Sequence, residues 1–236
     1  MTQPGGIAVI IPVFNAEAFL GDALESVRQQ TVPAGEVVVV DDGSRDGSVA
    51  IARSMAREWP QLRVLQQANA GVSSARNAGV ASTSSPYIAF LDHDDCMVPT
   101  RLARQRAVLD SEPATEVVIG QWQNVLEPGA EEPAFHALFP AATRQRAIMT
   151  MMVRRSTWDR VGGFDERIHG HEDMDWASRA IASGTSIHYA DEVLVHRRLH
   201  GGNASQSITV AAHRSNVFSV LRARLADART RGGDPT

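Results

Sequence analysis

The feature that most constrains this fold is the alternation, over the first ninety residues, of short apolar runs with stretches of helical periodicity. Residues 7–12 are apolar and too few for a helix; Asn15 follows as a candidate helix cap, then Leu20, Ala23, Leu24 and Val27 at helical spacing. Residues 36–40 are β-branched and pass through a turn at 41–44 to a second helical face of Val49, Ala52, Met55, Ala56 and Trp59. Residues 62–66 read as a third strand, 73–81 as a short helix and 87–91 as a fourth strand. Strands that are apolar throughout must be covered on both faces, so the pattern predicts a mostly parallel sheet with helices on either side. In such sheets ligands bind beyond the carboxyl ends of the strands. The polar clusters 12–15, 41–44 and 92–95 each follow a strand and are expected to converge on one rim.

Past Pro99 the pattern loosens. Residues 101–109 read as a helix, 117–120 as a strand, and 127–140, rich in Pro, Gly and acids, as a surface loop. A strand is expected at 149–154, a helix cap at Ser156, and a helix over 172–183 closed by Gly184. Short strands at 187–189 and 193–198 and a helical tail over 210–229, with Val217, Val220, Leu221 and Leu225 on one face, complete the reading. A chain of 236 residues, 43% hydrophobic, is enough for one domain with a single core.

The sequence FLDHDD, residues 90–95, places three carboxylates within four residues directly after a buried strand. Charges so close repel unless a cation sits among them. In an extended segment Asp92 and Asp94 point the same way and can address one hard ion, Mg²⁺ or Mn²⁺, whose open positions favour phosphate oxygens. The plainer alternative is an acidic turn at the start of the next helix. The net charge of −4 comes without a basic block, so composition gives no footprint for nucleic acid or an anionic membrane. Cys96, the single cysteine, has no disulfide partner in the chain, and the opening residues lack a charged leader with a cleavage site, which points to the cytoplasm. No apolar stretch approaches the roughly 20 residues of a membrane helix, so a lipid-linked acceptor would be met at the membrane surface.

Six segments, IPVFNAEAFL, VVVVDDGSRDGS, NAGVSSARNAG, FLDHDD, VGGFDE and HEDMDW, occur in that order. Together they resemble the family 2 glycosyltransferases with the GT-A fold, over about residues 7–205. The resemblance implies a single domain with a Rossmann-like nucleotide-binding half, about 7–110, and a smaller acceptor and catalytic half, about 111–205, followed by the tail at 206–236. It implies inverting transfer of a sugar from a nucleoside diphosphate sugar to a hydroxyl acceptor, dependent on Mn²⁺ or Mg²⁺.

Carried over residue by residue, the resemblance makes Pro12 and Phe14 the wall of the nucleobase pocket and Asp42 the acceptor for a base N–H. A carboxylate there suits the imide of uracil or thymine and favours UDP or dTDP donors. Turn chemistry explains Asp41 and Asp42 as well. Arg76 is expected near the base or the diphosphate, Asp92 at the ribose and beside the metal, and Asp94 on the metal. Asp95 is expected to hold a neighbouring backbone, with His93 and Cys96 structural. Asp173 corresponds to the catalytic base. Glu172 orients it or binds the acceptor, and Asp175 and Trp176 face the acceptor or pack. Gly162 and Gly163 form a tight turn before Phe164 at the donor-sugar wall. In VHRRLHGGNAS, a closing flap, His200 is the third element of the metal site with His196 as its alternative, and Arg197 or Arg198 neutralises the diphosphate.

Two rival classes are weighed against this reading. A hydrolase also uses paired carboxylates but has no need of a nucleobase wall. A non-catalytic nucleotide-sugar-binding protein would keep Pro12, Asp42 and Asp94 without needing Asp173. A dinucleotide-dependent dehydrogenase is excluded, because the turn after the first strand reads PVFNAE where a GxGxxG would let backbone approach a pyrophosphate. The acceptor, whether glycan, lipid-linked or small molecule, has no signature in residues 121–150, where Trp122, Phe135 and His136 line its pocket or belong to core and loop.

Overall fold

Burial with a period of two along the first strands builds two hydrophobic layers. The computed structural model describes residues 6–131 and 148–203. In β1 (Ile7–Val13), Ile7, Val9, Ile11 and Val13 enter one layer while Ala8 and Ile10 enter the other. β2 (Glu36–Asp41) and β4 (Tyr87–Phe90) divide in the same way, Val37, Val39 and Ala89 to the first layer and Val38, Val40, Ile88 and Phe90 to the second. Helices α1 (Leu20–Arg28), α2 (Ser48–Ala56) and α4 (Arg101–Ser111) cover the first layer through Leu20, Leu24, Ala52, Leu102 and Leu109. Helices α3 (Val72–Ala81), α5 (Arg155–Val161) and α6 (Glu172–Ala182) cover the second through Ala75, Val80, Trp158, Trp176 and Ala180. The predicted sheet with helices on both faces is the one observed.

With β3 (Leu62–Gln66), β5 (Cys96–Met97), β6 (Val117–Leu126), β7 (Met151–Arg154) and β8 (Ile187–Leu199), the sheet has the order β3-β2-β1-β4-β7-β6-β8-β5. The first four neighbours are parallel, whereas β7 runs antiparallel to both β4 and β6. Because β1 lies between β2 and β4, the chain reverses its direction of travel across the sheet there. That switch leaves a crevice beyond the carboxyl ends of β1 and β4, where Phe14 and Leu91 begin their loops. Helix α3 lies close over this point: a Cβ on Gly79 would stand 2.5 Å from the Ile10 Cγ2.

Three local expectations need correction. Asn15 caps no helix, since α1 starts five residues later. Its backbone has φ 50, its N–H donates to Ser44 Oγ and its Oδ1 accepts from Arg45 N–H, so it ties one rim loop to the next. Ser156 lies inside α5, whose cap position is Arg154. The two short strands expected at 187–189 and 193–198 form one strand, β8, paired with a β6 longer than expected and with register shifts around Gln121. Gly120 permits this: a Cβ there would meet Leu194 Cδ1 at 2.2 Å, so only glycine lets the two strands pack through the irregularity. The tail over 206–236 and residues Phe135 and His136 lie outside the described residues.

Candidate active site

Asp42 shows how the rim is set. It is buried, and its Oδ1 accepts from Gln67 Nε2 and Ala70 N, its Oδ2 from Gly71 N, all at 2.8 Å. Gly71, at φ +92, precedes α3, so one carboxylate fixes where that helix begins. Of the roughly four acceptor positions on a carboxylate, one remains. Asp41 accepts from Ser44 N and Gln66 Nε2, as turn chemistry predicts. Pro12 is buried with its carbonyl accepting from His93 Nδ1, which makes His93 structural, and Phe14 beside it is 46% exposed.

The acidic loop is divided by function of its contacts. Asp94 Oδ2 lies 3.2 Å from His200 Nε2 and accepts from Asn203 Nδ2 at 2.9 Å. His200 is therefore the histidine that reaches the loop; His196 stays in the ladder opposite Cys96. Gly202 N–H donates to His200 Nδ1 at 3.1 Å, which leaves Nε2, facing Asp94, as the ring nitrogen that would hold a metal. Asp95 is buried, and its Oδ1 accepts from the backbone N–H of Arg198 at 2.9 Å, the backbone-holding part expected of it. Burial drives its carboxyl well above the usual carboxylate range, with the charges of Asp94 and Asp92 adding to the effect. The thiol of Cys96 is likewise pushed up by burial, which fits an inert residue.

Asp92 faces a different partner. Arg76 Nη2 donates to its Oδ1 at 2.7 Å, while Arg76 Nη1 donates to Glu172 Oε1 at 2.8 Å. Burial pushes Asp92 up, but the guanidinium outweighs it and holds the carboxyl below its usual 3.8. Glu172 opens α6 and is followed by Asp173, so the ion pair brings the start of α6 to the acidic loop. Burial lifts the Asp173 carboxyl above its usual 3.8, and the Glu172 carboxylate lifts it further. A raised pKa makes a carboxylate a better proton acceptor near neutral pH.

Asp175 and Trp176 pack instead of facing solvent. Trp176 stacks on Trp158 at 5.7 Å and donates from Nε1 to Gly162 O. Asp175 accepts from Arg179 Nε, and the arginine then gathers the carbonyls of Val161, Gly162 and Gly163. Opposite, Asn77 holds Phe164 at both ends of its peptide, accepting from its N–H and donating to its O, each at 2.9 Å. A Cβ on Gly163 would stand 2.6 Å from Asn77 Oδ1. Gly163→Ala is therefore expected to cost about 1–3 kcal/mol, a fall in Tm of roughly 2–10 °C. Thermal melting checks this, and an unchanged Tm would mean that Asn77 gives way freely.

The two flap arginines separate to different surroundings. Arg198 is held by Asp22 at 2.8 Å and Glu127 at 3.1 Å, over the Phe19 ring, so its charge is already balanced away from the acidic loop. Arg197 lies over Trp122, and its charge helps to hold Asp92 low. Of the pair, Arg197 is the one retained as a diphosphate candidate. Trp122 packs partly against the core beneath it.

Sequence reasoning missed the residues that hold these groups. Asn77, Arg179 and Asn203 lie inside or beside the quoted motifs, and that position was the available signal. Arg101 had none. It reads as a helix residue, yet it is fully buried, donating to Phe90 O, Met151 O and Gln105 Oε1 and thereby fixing the end of β4 before the acidic loop. Burial brings it down to about 9 against the pull of Asp95 and Asp92, so it stays protonated at neutral pH.

Among the described residues no group of three or more His, Cys, Asp and Glu is arranged to hold a metal ion. Asp94 and His200 converge as two donors. That set fits Mg²⁺ or Mn²⁺, which take their remaining ligands from phosphate oxygens and water.

The sequence model described as glycosyl transferase family 2 matches residues 8–163. The uncharacterized glycosyltransferase YibD of Escherichia coli (strain K12) is 43% identical over 100 residues, 42% of this chain and 29% of that protein. TarS 1–349 of S. aureus in complex with UDP superposes with a TM-score of 0.71 at 22% identity, covering 92% of this chain and 63% of that one. The mannosyltransferase PcManGT from Pyrobaculum calidifontis, in complex with GDP-Man and Mn²⁺, gives a TM-score of 0.64 at 21% identity, covering 98% and 65%. At these identities the two structures share the fold with this chain, which spans less than two thirds of either and less than a third of YibD.

Proposed function

The chain belongs to the family 2 glycosyltransferases, and from that premise we propose that it moves a sugar from a nucleoside diphosphate sugar to a hydroxyl acceptor with inversion. The observation that carries the reading is the meeting of two acidic centres: the Asp92–Asp94 loop, with His200 against it, and the Glu172–Asp173 helix start, joined through Arg76. A donor on the first brings its anomeric carbon toward the second. Asp173, with its raised pKa, accepts the proton of the incoming hydroxyl, which attacks from the face opposite the leaving group. Arg197 offers positive charge to the departing diphosphate. Asp94 and His200 would hold Mn²⁺ or Mg²⁺, which supplies charge stabilisation for the β-phosphate when bound. No helix of the described residues is long and apolar enough to cross a membrane, so a lipid-linked acceptor would come to the rim from a membrane surface.

Base choice rests on Asp42. Its one remaining acceptor position suits an imide N–H, present in uracil and thymine and absent from cytosine, with Phe14 as the stacking wall. The relatives of like fold bind UDP in one case and GDP-Man in the other. A thermal-shift panel of UDP, dTDP, GDP, CMP and CDP, each with Mn²⁺, tests both function and base. UDP or dTDP should raise Tm above CMP and CDP; a shift with CDP equal to that with UDP would remove the imide argument, and no shift with any nucleotide would overturn the donor reading.

A further inference from the structure

Arg76 belongs to the ARNAG segment, where an arginine is expected to touch the base or the diphosphate, yet its guanidinium points inward. It is 3% exposed, its two terminal nitrogens are engaged by Asp92 and Glu172, and the Phe164 ring lies 5.6 Å from its Cζ. Its Nε is buried with no hydrogen-bond partner. To reach a phosphate it would have to abandon both carboxylates. Three elements meet on this one side chain: α3 that carries it, the loop after β4, and the N-terminus of α6.

The two carboxylates differ in access. The Asp92 side chain is 31% exposed and open to a ligand, whereas Glu172 is 11% exposed and adjoins Asp173. A planar guanidinium holds both at fixed separation, so a shift of one is felt by the other. We propose that Arg76 is a positioning residue that couples donor engagement at Asp92 to the placement of Glu172 and Asp173, and not a ligand of base or diphosphate. This rests on the glycosyltransferase reading, which puts the donor at Asp92 and the base at Asp173. Coupling of this kind needs direct evidence that one site responds to the other.

Hydrogen exchange of the whole chain with UDP and Mn²⁺ supplies it. In the wild type, nucleotide should slow exchange in peptides covering 90–97 and also in those covering 171–178. In Arg76→Gln, protection at 90–97 should persist with UDP affinity reduced by less than about tenfold, short of the loss of a charge-assisted contact, while the response at 171–178 disappears. Turnover should fall by about 10²-fold, the scale of a misplaced catalytic group. Arg76→Lys keeps the charge but lacks the fork, so it should lose the same response; it carries the test if the glutamine variant does not fold. A retained response at 171–178 in either folded variant overturns the coupling, as does a fall in UDP affinity of about tenfold or more, the scale of a lost charge-assisted contact. A wild type that binds UDP with no change at 171–178 overturns the coupling alone. A wild type that binds neither UDP nor GDP overturns the donor reading on which it stands.

Discussion

Asp173→Asn should slow sugar transfer by roughly 10²- to 10⁴-fold, the contribution of a positioned base, while donor affinity stays near that of the wild type. The amide keeps the size of the side chain and can still accept from the Met174 N–H, now 2.8 Å from Oδ1, so the start of α6 is preserved. What it loses is the capacity to take a proton. The pH dependence gives a second, independent reading. Because burial and the Glu172 charge raise the Asp173 pKa, the base is lost to protonation as pH falls through a value above 3.8, and the acid limb of kcat should lie higher than for an ordinary aspartate. Steady-state kinetics with calorimetry of UDP binding decides the matter. Collapse of nucleotide binding in the variant would make Asp173 a donor-binding residue. The base would then have to be Glu172, since Asp175 is fully buried and taken by Arg179.

Asp94→Ala should remove the dependence of nucleotide binding on Mn²⁺. Asp94 is the carboxylate that His200 and Asn203 both approach, so its loss takes away one of two protein donors and the anchor of the His200–Asn203 turn together. The fold should survive, because Asp94 spans no strand pair, in contrast to Asp95, whose carboxylate holds the backbone of β8. Calorimetry with UDP, with and without Mn²⁺, reads the effect directly. Unchanged affinity in the variant, or full wild-type activity in EDTA, would sink the metal assignment.

The sheet was legible from the sequence because its evidence is local. An apolar run such as VVVVD can be satisfied only by burial on both faces, and that requirement dictates a parallel sheet between helices wherever the run lies. The rim was legible for the same reason, since a strand fixes where its following loop must emerge. Asp94 and His200, 106 residues apart, were paired on the strength of a resemblance, and the fold brings their side chains to 3.2 Å. The caps failed where tertiary contacts outbid local chemistry: Asn15 has the composition of a helix cap, but its hydrogen bonds go to Ser44 and Arg45 across the rim. The break expected near residue 190 closed into one strand because β6, distant in sequence, accommodates it at Gly120.

The sequence by itself determined the layered sheet, the position of the acidic loop at its carboxyl rim and the membership of a family, since each follows from periodicity or from ordered motifs along the chain. The tertiary structure alone decided the partners of charge. Arg76 and Arg198 are both expected toward the diphosphate from the sequence, yet folding buries one between Asp92 and Glu172 and balances the other on Asp22 and Glu127. The physical reason is that burial of apolar strands depends on neighbours one or two residues away, whereas the partner a charge finds depends on where the whole chain puts its oxygens.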